Sequence, residues 1–470
     1  MSDGLAELLH DAAVLYGFVD FLEEYCREQE RSQTYVDASG LFFRYVKDLA
    51  AGIKEELGRE ISRATRFPAR LPVLQRNILT LKYYLQLLHE HIKPAADAHT
   101  LTIPAPLIDL ASQQLRRVEG MSASKIVILL TPEFMYFQRP HTYVKEQARL
   151  VQAIIPQAAF PAKLGFIALP YSQGPSFFTN LAIYHEIGHF VYEELSKSDP
   201  PYRGVAALRS VTNRSLRRVF RDRQVVAFVS KIVESWTQEI FCDLFAIRLV
   251  GPAFSFALVE ILGMLGFLST KDLTKFNLTH PASALRFAEH VSLLEEDSWL
   301  KAIEQFEPEQ KKLLERLAKI PRAKYRFYVD DQALGPQSLV STFLASVVPA
   351  IRKLVREITT EPTRAVKRFE QDRQSIEDCL RVGVVPHTKT SRPPDPVSII
   401  NAAFCFYLTS LPKVIGQFEE PEAKNDLRIH SLWAKRLEMW TMKAIEDSQV
   451  QDRFRKLKGT ALWSFLEKKS

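Results

Sequence analysis

Tyr184-His185-Glu186-Ile187-Gly188-His189-Phe190 lies inside an apolar run from Phe177 to Leu195, and its reading decides how the rest of the chain is understood. On a helix, residues four apart sit one above the other, so His185 and His189 can offer two imidazole nitrogens to one metal ion. Glu186 lies about 100° round the helix from His185. That is close enough to serve a metal-bound water without being a ligand. The stretch therefore reads as the core of a zinc hydrolase, but three defining letters are few, and the surrounding sequence has to carry the argument.

A catalytic zinc takes three protein ligands and leaves its fourth position to water. A third donor is expected downstream, and Glu239-Ile240-Phe241-Cys242-Asp243 supplies one within a helical pattern over residues 225–250. Glu239 and Asp243 are four apart, so the first carboxylate can bind metal while the second hydrogen-bonds a ligand imidazole and fixes its tautomer. The plainer alternative makes both ordinary solvent-facing acids. Their neighbours Trp236, Ile240, Phe241, Leu244 and Phe245 weigh against it, because an unpaired carboxylate is costly to bury. Cys242 could also approach the metal, but reads first as a small buried thiol.

His-Glu-x-x-His followed by Glu-x-x-x-Asp on a later helix resembles the gluzincin clan of zinc metallopeptidases. The resemblance implies one zinc ion held by His185, His189 and Glu239, with Glu186 as general base and Asp243 supporting a ligand. A third block, Thr279-His280-Pro281-Ala282-Ser283-Ala284-Leu285-Arg286, is similar to the His-Pro and downstream Arg segment of the prenyl-protein endopeptidase branch. By that likeness His280 helps to stabilise the tetrahedral oxyanion and Arg286 braces the site; the other reading is a loop histidine before a helix-starting proline. The match covers roughly residues 164–290, where Phe166 to Tyr171 and Trp236 to Phe254 also look like an uncharacterised bacterial group of metallopeptidase-like proteins. Two departures stand out: no clear membrane span, and 50 residues between His189 and Glu239, an interval expected to fold as an inserted helical segment.

The flanks are read as helical. Apolar residues recur at three and four spacing in Leu5 to Tyr25, Leu41 to Leu57 and Leu71 to Ile92, with a further short helix expected near Pro104-Ala105-Pro106. Lys125 to Leu130 and Leu164 to Tyr171 are strand candidates, the second closed by the turn-forming Gln173-Gly174-Pro175. That second strand either lends an edge to an extended peptide substrate or only supports the metal helix. Beyond about Leu300 the pattern is again helical. The expected fold is thus mainly α with a small β-sheet, a zincin-like metallopeptidase core over 121–300, and helical regions over 1–120 and 301–470.

Composition narrows the classes. Hydrophobic residues at 46% and charged ones at 25% give a folded chain, not a disordered one. A net charge of +7 over 470 residues is too small to identify nucleic acid as a partner. The exception is local: Arg203, Arg209, Arg214, Arg217, Arg218, Arg221 and Arg223 share their segment with one acid, Asp222. They read either as a grip for an acidic group or as a solvated helix face. Four scattered cysteines and an acidic N-terminus without a secretory pattern lead to the expectation of a cytoplasmic protein with free thiols. The apolar stretches 251–270 and 338–355 carry charges or proline and are expected to be core helices. Taken together, the expectation is a zinc endopeptidase acting on a peptide or protein, its alternative a zinc-stabilised helical scaffold that cuts nothing.

Overall fold

A computed structural model describes residues 3–32, 38–100, 104–132, 137–139, 141–161, 163–170, 176–198, 200–321, 324–329, 332–334, 337–387, 393–418 and 427–457. Three long helices lead: α1 (Asp3–Ser32), α2 (Ala38–Arg66) and α3 (Leu71–Thr100), followed by α4 (Ala105–Leu115). Strands β1 (Lys125–Thr131) and β2 (Phe137–Arg139), helix α5 (His141–Gln152) and strand β3 (Leu164–Pro170) come next. The motif-bearing stretch folds as α6 (Ile183–Lys197), α7 (Arg203–Val219), α8 (Arg223–Val250) and α9 (Pro252–Met264). Short α10 (Thr270–Leu273) and β4 (Lys275–Phe276) lead into α11 (Ser283–Glu296), α12 (Trp299–Phe306) and α13 (Pro308–Ala318). The chain continues through β5 (Arg326–Val329), β6 (Gln332–Leu334), α14 (Gln337–Thr342), α15 (Val348–Ile358) and α16 (Thr363–Arg381). It closes with α17 (Pro396–Cys405), α18 (Leu411–Phe418) and α19 (Leu427–Leu457). The fold is mainly helical, with two small sheets where one was expected.

The chain divides into two compact units, residues 1–103 with 123–175, and residues 104–122 with 176–470. In the first unit the three-four periodicity of the leading helices becomes a core. Leu15, Val19 and Leu22 of α1 meet Phe42, Val46 and Ile53 of α2 and Ile78, Leu85 and Leu88 of α3. Its sheet has the order β1-β3-β2, with β1 and β3 parallel from Lys125↔Leu164 to Thr131↔Pro170.

Both strand expectations therefore hold, but the peptide-edge reading of the second does not. β3 is the central strand, hydrogen-bonded along β1 on one side and to β2 at Phe166–Ala168 on the other. Every β3 residue is buried, as a run without polar alternation requires when both faces are covered. Tyr171 and the turn at Gln173-Gly174-Pro175 lie outside the described residues.

In the second unit α6 packs on α8, and α8 also receives α11 and α15. Asp222 starts α8, its Oδ1 accepting from Gln224 N at 2.7 Å and Val225 N at 3.4 Å. Gly251 ends it with φ 72°, a left-handed turn that a side chain resists, and Pro252 opens α9. The 50-residue interval after His189 is helical, as expected: it is filled by the end of α6, by α7 and by the first half of α8.

The region read as helical beyond Leu300 needs one correction. β5 pairs parallel with β4 and antiparallel with β6, making a second three-stranded sheet. The reason is aromatic burial: Phe276 and Phe327 stand edge-on to the Trp236 indole, with ring centroids 4.8 and 5.7 Å away. That packing of distant segments outweighs local helical preference. The expected break at Gly335-Pro336 lies outside the described residues. Among the described residues no helix is long and apolar enough to cross a membrane. All four cysteines are buried and unpaired.

Candidate metal centre

Helix α6 is buried on nearly every side, so its histidines must find partners inside the protein. They find them on α8. The crossing is close because Gly188 has no side chain: a Cβ there would come within 2.7 Å of Cys242 Cα and 3.1 Å of its Sγ. The neighbour that Gly188 accommodates is the backbone of α8. Gly188→Ala gains about 1 kcal/mol of helix propensity. It meets a backbone atom that cannot rotate away, and overpacking of this kind costs about 1–3 kcal/mol. The clash dominates, so a net loss of stability and of metal affinity is expected, read by urea unfolding and zinc titration.

Across this contact the predicted ligands come together. Glu239 Oε2 lies 3.4 Å from His185 Nε2, and Glu239 Oε1 lies 3.4 Å from His189 Nε2. These separations are too long for good hydrogen bonds. They do match ligand atoms placed around one ion, because tetrahedral bonds of about 2.1 Å set neighbouring donors about 3.4 Å apart. Cys242, one turn along α8, makes a different set with the same histidines: donor atoms of His185, His189 and Cys242 all lie within 4.8 Å of one another, a group that could hold a metal ion and that does not include Glu239. Burial pushes the Cys242 thiol well up, and the charges of Glu239 and Glu186 push it further. Glu239 is buried too, but its contacts with His185 and His189, with the Arg286 charge, hold its carboxyl well below the usual range. It is therefore the better anionic donor beside the imidazoles, while Cys242 favours the neutral thiol.

Asp243 is the hub behind the ligands. Its Oδ1 accepts from His185 Nδ1 at 2.8 Å and Arg286 Nη2 at 2.7 Å, and its Oδ2 from Arg286 Nε at 2.6 Å. His290 Nε2 adds a contact to Oδ2 at 3.1 Å. Burial would raise the pKa of Asp243, but the Arg286 guanidinium outweighs it and holds the carboxyl well below the usual range. For His185, burial opposes the charged form, yet Asp243 and Glu239 prevail and raise its pKa to about 10. The same two carboxylates that favour a proton on His185 Nε2 favour a metal cation in its place. With Nδ1 donating to Asp243, the Nε2 lone pair is directed at the ligand cluster.

The remaining predicted residues sit around this cluster. Glu186 is buried on α6, close enough for its charge to act on Cys242. Arg286 on α11 reaches past Asp243, placing Nη1 3.7 Å from Glu239 Oε2. His280 comes within 3.7 Å of Glu239 Oε1, its side chain half exposed. Its loop is fixed locally: Asn277 Oδ1 accepts from His280 N at 2.6 Å and Thr279 N at 2.9 Å, while Asn277 O accepts from Trp236 Nε1 at 2.8 Å. The second sheet thereby holds the His280 loop against α8.

Sequence reasoning missed two participants. His290 lies four residues beyond Arg286 on one face of α11, a spacing that could have flagged it. Cys242 is buried, as expected, and the helix crossing also brings it beside the histidines, the alternative the sequence leaves open. Phe254 of α9, also unforeseen, lies parallel to the His185 ring at 6.3 Å. Comparison of the chain with protein families, with curated proteins and with solved structures gives no match in any of the three.

Proposed function

We propose that the protein is a zinc-dependent peptidase of the gluzincin type, with a zincin-like core built on α6 and α8. The observation that carries the reading is the approach of His185 and His189 to the two oxygens of one Glu239 carboxylate at tetrahedral spacing. Zinc bound there supplies Lewis acidity toward a carbonyl and a water acidified to near neutrality. Glu186 takes the proton of the attacking water and returns it to the leaving amine. His280, half exposed beside Glu239, would donate a hydrogen bond to the oxyanion that develops on the carbonyl oxygen. Asp243 and Arg286 keep His185 and Glu239 in register.

One observation favours a second reading. If Cys242 binds together with His185, His189 and Glu239, four protein donors close the coordination sphere, and the site becomes a structural clamp in a helical scaffold. The ligand set decides between them. Under the peptidase reading, His185→Ala, His189→Ala and Glu239→Ala each lower the zinc-to-protein ratio, while Cys242→Ser keeps about one equivalent and full activity. Loss of zinc from Cys242→Ser, or its retention by Glu239→Ala, would overturn that reading. Metal analysis by mass spectrometry on each purified variant gives the answer.

A further inference from the structure

Between the two ligand-bearing helices lies a feature that the metal chemistry does not use. α7 turns Val205, Leu208, Thr212, Ser215 and Leu216 inward. Its other face and the turn into α8 expose Arg214, Arg217, Arg218, Arg221 and Arg223, with Arg217 and Arg218 three and four residues after Arg214 on one side of α7. Among the described residues none of these five side chains has an ion-pair or hydrogen-bond partner. Some exposed lysines elsewhere are paired, Lys197 with Glu193, Lys312 with Glu309 and Lys443 with Glu446; what sets this segment apart is five unpaired arginines within ten residues. The single acid of the segment, Asp222, is committed to capping α8. Arg209 is also engaged, donating to Ser196 O at 3.3 Å.

Within the same turn three apolar side chains face solvent: Val219 at 38%, Val225 at 41% and Phe228 at 57% exposure. Val225 and Phe228 are three apart in the first turns of α8 and share a face. Unpaired arginines around a small apolar tip form a surface with two complementary preferences, negative charge at the rim and hydrocarbon at the centre. Nucleic acid would satisfy only the first, and one phenylalanine is not the series of stacking rings that single strands use. A bilayer with anionic headgroups satisfies both, phosphates for the arginines and the headgroup–acyl boundary for the apolar residues.

We propose that the α7–α8 turn is a peripheral docking surface for anionic phospholipid membranes. Arg214, Arg217, Arg218, Arg221 and Arg223 contact headgroup phosphates, and Val219, Val225 and Phe228 enter the boundary layer. The surface is separate from the metal ligands, so docking is independent of bound zinc and of hydrolytic activity.

The test is flotation of the full chain with phosphatidylcholine vesicles, with and without phosphatidylglycerol. Binding is expected only to the anionic vesicles, weakening as salt rises. The triple variant Arg217→Gln, Arg218→Gln, Arg221→Gln should lower partitioning on the order of 100-fold, at about 1 kcal/mol per arginine. The matching triple lysine variant should retain most of it, because headgroup attraction needs charge more than fork geometry. Phe228→Ser should weaken binding on the order of tenfold with the salt dependence unchanged. These side chains are exposed and unpaired, so each variant should keep the wild-type melting temperature and zinc content. Equal partitioning of the glutamine triple and the wild type overturns the proposal. So does failure of the wild type to float, including the case in which it binds a duplex oligonucleotide instead.

Discussion

Under the proposed peptidase reading, Glu186→Gln is expected to bind zinc as the wild type does and to lose peptide hydrolysis by a factor on the order of 100 to 10,000, the range that a positioned general base contributes. The substitution keeps the length and shape of the side chain and removes only its ability to accept a proton. Glu186 is buried on α6 next to His185, and its charge reaches Cys242, so it lies in the electrostatic field of the site without completing the ligand set. Metal retention and activity therefore separate in this variant, while they fall together in the histidine variants. A zinc-dependent cleavage profile for the wild type on a peptide library is the reference. Full activity of Glu186→Gln at normal zinc content would remove the general-base assignment, and loss of zinc would make Glu186 a ligand.

The second large effect is expected at Asp243. Its carboxylate is fully buried and engages His185, Arg286 and His290 together. Asp243→Ala leaves the Arg286 guanidinium inside the protein with only the longer approach to Glu239, 3.7 Å, to offset its charge. Removing one member of a buried ion pair costs about 3–5 kcal/mol. The ligand imidazole also loses the partner that fixes its tautomer, which lowers metal affinity about 10- to 100-fold. Urea unfolding of metal-stripped protein reads the first loss, and competition with a zinc chelator reads the second. Asp243→Asn keeps an acceptor but no charge, so its loss should be intermediate. An unchanged unfolding midpoint in Asp243→Ala would show that Arg286 is not held by this carboxylate.

What the sequence makes legible here is local. His185 with His189, and Glu239 with Asp243, are each brought together by the period of one helix, and the hydrophobic pattern around them marks those helices as buried. The strands Lys125–Thr131 and Leu164–Pro170 announce themselves in the same way, as short runs rich in aliphatic residues. What escaped depends on which faces of distant segments meet. Nothing near Cys242 in the chain says that Gly188 lets α8 come within touching distance of α6. His290 becomes part of the site only because α11 lies on α8. The hairpin β5–β6 was hidden because its strands depend on a sheet partner and a tryptophan contributed by residues before 280. The peptide-edge reading of β3 failed on sheet order, which a single strand's composition does not encode.

The contact between Gly188 and Cys242 also bears on how relatives of this chain would be recognised. The two variable letters of His-Glu-x-x-His are not equivalent: the first, Ile187, packs in the core, whereas the second must be small enough to admit another helix. A search pattern faithful to the geometry is therefore His-Glu-x-Gly-His, then Glu-x-x-Cys-Asp, then His-Pro with Arg five residues after the Pro and His four residues after that Arg. Such a composite is far more selective than the five-residue zinc motif. It also predicts linked change: because the clash is with the backbone of residue 242, a larger residue at position 188 calls for a wider spacing of the helices.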